Sequence, residues 1–220
     1  KMKVIISPDS FKGTMSSVDA AETIEKGLKQ LSETIETVCL PVADGGEGTL
    51  EALVAATNGK YIESTVCDPI GRKIQARYGV LGDGKTCVIE MAQASGITLL
   101  SADERNPLRA TTYGTGQLID HALDQGYRHF IVGIGGSATN DAGLGMLHAL
   151  GVKFLDEALK PLPIVVSSLE KIHTIDTSEM NELISRSRFT IACDVDNPLV
   201  GERGATAIFG PQKGVMPKQI

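Results

Sequence analysis

Several stretches of this sequence set carboxylates or lysines among glycines. They are Asp9-Ser10-Phe11-Lys12-Gly13, Asp44-Gly45-Gly46-Glu47-Gly48, Gly133-Ile134-Gly135-Gly136-Ser137-Ala138-Thr139-Asn140-Asp141, Asp194-Val195-Asp196-Asn197 and Gly210-Pro211-Gln212-Lys213-Gly214. Glycine turns aim unpaired backbone N–H groups at a docked anion. Carboxylates beside them make little sense for phosphate alone. They make sense if Mg²⁺, which takes one or two carboxylates plus phosphate oxygens, bridges the two. Lysines can then neutralise charge on a transferring phosphoryl group. A carboxylate that accepts the proton of an attacking hydroxyl contributes roughly 10²–10⁴-fold. The residues alone point to phosphoryl transfer onto a small hydroxylated acceptor. Any one of these carboxylates reads as well as an N-cap or loop anchor; the argument is their coincidence.

The elements that must position them follow from periodicity. Lys3 to Ser7 reads as a short buried strand, and Ser16 or Ser17 as the cap of a helix running to about Leu31, with Ala20, Ile24, Leu28 and Leu31 on its apolar face. Thr37 to Val42 is a second strand, and Thr49 opens a helix over Leu50 to Thr57. Two successive strand–loop–helix units predict a parallel sheet with both loops at its carboxyl edge. Tyr61 to Cys67, Lys73 to Leu81 and Lys85 to Met91 read instead as strands joined by hairpin turns. A helix follows over Gly116 to Gln125. His129-Phe130-Ile131-Val132 then leads as a strand into the Gly133–Asp141 turn, and Ala142 to Leu150 leaves it as a helix. Strands are expected at Val152 to Leu155 and Phe189 to Val195. The change of pattern near residue 70 places a domain boundary there.

Composition excludes some partners. The 220 residues are 42% hydrophobic and 22% charged, with a net charge of -6. That balance argues against nucleic acid and against an anionic membrane surface. No apolar run approaches the roughly 18 residues of a membrane span. Cys39, Cys67, Cys87 and Cys193 stand apart without zinc spacing, which reads as reduced thiols in a cytoplasmic protein. Lys1 precedes a Met2 that reads as a natural start, and Met216-Pro217-Lys218-Gln219-Ile220 reads as a helix just beginning, so a longer chain is expected.

Two motifs mislead. Gly79-Val80-Leu81-Gly82-Asp83-Gly84-Lys85-Thr86 matches the Walker A pattern, but strand-like residues follow where that motif needs a helix. Gly133-x-Gly135-x-x-Ala138, with Asp156 eighteen residues on, matches the dinucleotide fingerprint and supplies an alternative, a nicotinamide-dependent oxidoreductase. Against it, Asn140-Asp141 starts the helix late, and a carboxylate there repels pyrophosphate. A non-catalytic anion-binding fragment is the third reading.

The same motifs, with Pro41-Val42-Ala43 before Asp44, Cys193 before Asp194, Pro198-Leu199 after Asn197 and Phe209 before Gly210, occur in an order that resembles the bacterial type I glycerate kinases. The resemblance spans essentially all 220 residues. It implies an α/β fold of two α/β domains. One is a Rossmann-like or flavodoxin-like parallel-sheet domain over residues 1–70, completed by residues beyond this chain; the other is a mixed α/β domain over 71–220. It implies a cytoplasmic enzyme, with a homodimer allowed, that transfers the γ-phosphoryl of ATP with Mg²⁺ to D-glycerate, giving 2-phosphoglycerate rather than 3-phosphoglycerate. Carried onto this sequence, Asp194 is the expected base or metal partner. Lys12 and Lys213 stabilise phosphate or the substrate carboxylate, and Asp44 and Glu47 orient substrate or metal. Gly135, Gly136, Ser137, Thr139 and Asn140 hold phosphate, Asp9, Ser10 and Asn197 meet the substrate, and Asp141 lies at Mg²⁺.

Overall fold

A computed structural model describes residues 2–11 and 14–220. The chain opens with β1 (Lys3–Ile6), α1 (Ser17–Leu31), β2 (Glu36–Cys39) and α2 (Thr49–Thr57). β1 and β2 pair in parallel, as two strand–loop–helix units require. Ser16 caps α1, its hydroxyl accepting from the Asp19 N–H at 3.0 Å. Ala20 and Ala21 are buried, whereas Ile24 and Leu31, expected on the buried face, are exposed. No described element covers that side of the helix.

The main sheet has five strands in the order β3-β4-β5-β6-β9. β3 (Lys60–Cys67), β4 (Lys73–Val80) and β5 (Thr86–Glu90) form an antiparallel meander, and β6 (His129–Gly133) and β9 (Arg188–Ala192) run parallel to β5. The hairpin topology begins with β3 at Lys60, whose eight residues pair along their whole length with β4. The Walker-like stretch is a hairpin turn. Asp83 accepts from the Lys85 and Thr86 N–H groups and the Thr86 hydroxyl, which hold its carboxyl down at about 2.

Period-two alternation in β5 sorts its side chains between two helical layers. Cys87 and Ile89 face α4 (Tyr113–Asp124), where they join Leu118, Ile119, Ala122 and Leu123. Val88 faces the other way, onto Leu50 and Val54 of α2. Burial pushes the Cys87 thiol up to about 12, so it is an inert core residue. The rest comprises α3 (Ala92–Ser95), α5 (Leu144–Ala149), an antiparallel pair β7 (Lys153–Leu155) and β8 (Thr174–Asp176), and α6 (Ala205–Phe209). No helix among the described residues is long and apolar enough to cross a membrane.

Candidate active site

The parallel strands β5, β6 and β9 deliver their carboxyl ends to one edge, where ligands of open α/β sheets bind. Three loops meet there: residues 43–48, 133–141 and 192–194. Their contact is backbone on backbone. The Gly135 N–H donates to the Gly45 carbonyl at 3.1 Å. A Cβ on Gly135 would lie 2.5 Å from the Gly46 Cα, and one on Gly45 would lie 2.5 Å from the Ala192 carbonyl oxygen. The glycines are there because only hydrogen fits between the strands of this seam.

Asp44 and Asp194 line a single cavity of about 510 Å³ beside this seam. Thr49, the first residue of α2, lines it too, and its buried hydroxyl has no partner among the described residues. Two carboxylates and a hydroxyl are a hard-oxygen set suited to Mg²⁺. Asp194 is exposed, and one Asp44 oxygen accepts from the Gly46 N–H at 2.9 Å.

A second, largely apolar cavity of about 600 Å³ lies on the other side of the Gly133–Asp141 loop, with Ile134, Leu108, Val166 and Leu169 among its walls. Ser137, Thr139 and Asn140 form its polar edge. Lys213 reaches into this loop, donating to the Ser137 hydroxyl and the Thr139 carbonyl, each at 2.7 Å. Burial pulls its ammonium below the ordinary lysine value, partly opposed by the Asp141 charge. The loop is tied on both flanks. The Gly136 carbonyl accepts from the Ile97 N–H at 2.8 Å, and the Ala138 N–H donates to the Ser95 carbonyl at 2.8 Å. The Gly136, Ser137 and Thr139 N–H groups have no protein acceptor among the described residues.

Asp141, expected at a metal, does something else. It is buried, and its two oxygens accept from the Thr112 N–H and hydroxyl at 2.9 Å each and from the Gly143 and Gly145 N–H groups at 3.1 Å each. The carboxylate is an internal anchor, because four donors from two segments converge on it. The helix after the loop also starts later than expected, at Leu144 rather than Ala142, with Ala142 at φ +51° and Gly143 at φ +76°. It has six residues.

The other expected residues divide. Glu47 and Ser10 line a third, polar cavity of about 370 Å³. Asp9 is exposed and accepts from the Ser10 N–H at 2.6 Å. The Asn140 amide donates to the Thr206 hydroxyl at 3.0 Å, and the Asn197 amide donates to the Arg203 carbonyl at 2.9 Å, so both brace loops. Lys12 lies outside the described residues. Asp156 caps a turn after β7, accepting from the Ala158 and Lys160 N–H groups at 2.9 Å each. β7 lies outside the main sheet, in which β6 is flanked by β5 and β9. Asp156, the acidic partner read for the fingerprint, is thus not at the end of a strand beside β6, which counts against the oxidoreductase reading.

Sequence reasoning missed Glu90, which is 1% exposed at the carboxyl end of β5. The signal was there: a carboxylate closing the apolar run Cys87-Val88-Ile89. It was read only as part of a strand.

A family model described as the glycerate kinase family matches residues 4–220. The chain is 52% identical to a Glycerate kinase of Bacillus subtilis over 97% of its own length and 56% of that protein. It is 47% identical to the Glycerate 2-kinase of Escherichia coli over 100% of its own length and 58% of that protein. It superimposes with a TM-score of 0.90 and 45% identity on a crystal structure from Salmonella typhimurium LT2, described as that of a candidate glycerate kinase 2, covering 99% of this chain and 58% of that one. The chain therefore spans a little over half the length of the relatives it matches, and it belongs to the glycerate kinase family.

Proposed function

We propose that the protein containing this chain transfers the γ-phosphoryl group of ATP to a hydroxyl of D-glycerate with Mg²⁺, giving 2-phosphoglycerate. The observation that carries this reading is the shared cavity of Asp44 and Asp194, set against a glycine seam whose other wall carries Lys213. The apolar cavity beside Ile134 suits a nucleotide base. The N–H groups of Gly136, Ser137 and Thr139 suit its phosphate oxygens, with the Lys213 ammonium balancing charge that develops on the transferring group. Asp44 and the Thr49 hydroxyl would hold Mg²⁺, which when bound neutralises phosphate charge. Asp194, exposed at the end of β9, is free to accept the proton of the attacking hydroxyl. Asp141 has no metal role in this reading.

The exposed Ile5, Ile24 and Leu31 around β1 and α1 favour a first domain completed by further chain. The four unpaired cysteines suit a reducing cytoplasm. The test is turnover by the full-length protein with ATP, Mg²⁺ and D-glycerate, with the product assigned by ³¹P NMR. Asp194→Asn should lower kcat/KM by at least 10²-fold. Near-normal turnover of that variant would remove Asp194 from the chemistry, and ³¹P signal from 3-phosphoglycerate alone would overturn the product assignment.

A further inference from the structure

The polar cavity on the α1 side of the seam has a composition that selects its guest. Its walls carry Asp19, Glu47, Glu51 and Glu90 against the guanidinium of Arg77, with Gln93 beside them. Such walls repel a nucleotide's phosphates, which the Lys213 side accommodates. The carboxylates suit a ligand that offers hydroxyl donors, and Arg77, the one cation among the described lining residues, can pair with a single carboxylate.

Two side chains mark where such a ligand sits. The Glu90 carboxyl is buried between sheet and helix, with Oε2 accepting from the Leu50 N–H of α2 at 3.0 Å. Its other oxygen, Oε1, is buried and has no partner among the described residues. A buried acceptor left without a donor is a destabilising feature, so its place at a cavity wall points to a ligand donor. Arg77 projects from β4 with its guanidinium 4.3 Å from the centroid of the Tyr61 ring and forms no ion pair among the described residues. The stacked ring fixes the plane of the guanidinium and leaves its N–H edge for a carboxylate.

We propose that this cavity is the acceptor pocket, taking a small hydroxy carboxylate whose carboxylate pairs with Arg77 and one of whose hydroxyls donates to Glu90 Oε1. It rests on the kinase reading and adds to it two binding residues. Glu47, across the cavity and on the loop that carries Asp44, faces the same ligand. The two ends of that loop thus border the acceptor and the metal.

The experiment is calorimetry on the full-length protein with D-glycerate, D-lactate and 3-hydroxypropanoate, the last two each lacking one hydroxyl, alongside steady-state kinetics. Arg77→Met should weaken glycerate at least tenfold and leave the KM for ATP unchanged. Glu90→Gln keeps an oxygen for the Leu50 N–H and should not lower the thermal midpoint. It should shrink the wild type's preference for glycerate over one of the two analogues from tenfold or more to under threefold. If both variants bind and phosphorylate glycerate as the wild type does, the acceptor lies elsewhere while the kinase reading stands. If the wild type does not turn over glycerate, the kinase reading fails, and binding decides the pocket. Any of the three acids bound by the wild type and lost in Arg77→Met upholds it, and no binding overturns it.

Discussion

Replacing Asp141 with alanine separates an internal anchor from a metal ligand. The substitution removes the acceptor of the Thr112 N–H and hydroxyl and of the Gly143 and Gly145 N–H groups. The Thr112 and Gly145 N–H groups lie in buried surroundings, and each such donor left unsatisfied costs about 1–3 kcal/mol. The Thr112 hydroxyl also accepts from the Met146 N–H at 2.9 Å, so losing its orientation loosens the start of α5 as well. Because water can enter the vacated space the terms overlap, and a loss of about 3–5 kcal/mol is expected against a typical domain stability of about 5–15 kcal/mol. Asp141→Asn, which keeps one oxygen as acceptor, should lose about 1–3 kcal/mol. Urea unfolding of the full-length protein measures the loss, and hydrogen exchange should show residues 111–116 and 141–147 deprotected together. A loss below about 1 kcal/mol with unchanged exchange, combined with a tenfold rise in the Mg²⁺ requirement, would refute the anchor and restore the metal role.

Further outcomes follow from the same geometry. Lys213→Met should lower kcat/KM by about 10²–10³-fold, as loss of a charge-stabilising donor does. The Lys213 ammonium titrates below its ordinary 10.5 in the folded protein, so at pH values between its folded value and 10.5 the unfolded chain holds more protons and stability rises with pH. The difference in unfolding free energy between wild type and Lys213→Met should therefore move toward the wild type as pH climbs to 10.5. Burial raises the Glu90 carboxyl above its ordinary 4.5, with Glu47 adding to the rise and the Leu50 and Gly48 N–H groups and Arg77 opposing it. The folded protein then holds more protons above pH 4.5, stability falls as pH rises through that window, and Glu90→Gln should gain on the wild type over the same range in chemical denaturation. Gly135→Ala drives a methyl into the Gly46 backbone and should cost about 1–3 kcal/mol in unfolding experiments, with kcat falling more than tenfold.

Strand and helix periodicity made much of the architecture legible. The Ser16 cap, the parallel β1–β2 pair and the hairpin at Gly82-Asp83-Gly84 all follow from local chemistry. Side-chain allegiance was not legible. A carboxylate after a glycine-rich turn can anchor the turn or face a ligand, and for Asp141 the choice depends on Thr112, a residue 29 positions away. Asn140 is likewise claimed by Thr206, 66 positions on. Glu90 was overlooked for the converse reason. A strand residue is read by its face, and the buried, unpaired Oε1 at the cavity wall arises only because the start of α2 packs across the end of β5.

The glycine seam has a thermodynamic consequence. With no side chains between Gly45, Gly46 and Gly135 to absorb a displacement, a shift of the loop bordering the acceptor cavity would press directly on the loop held by Lys213. A ligand that reshapes one cavity changes the affinity of the other, and linkage makes that change reciprocal: the factor by which nucleotide alters acceptor binding equals the factor by which acceptor alters nucleotide binding.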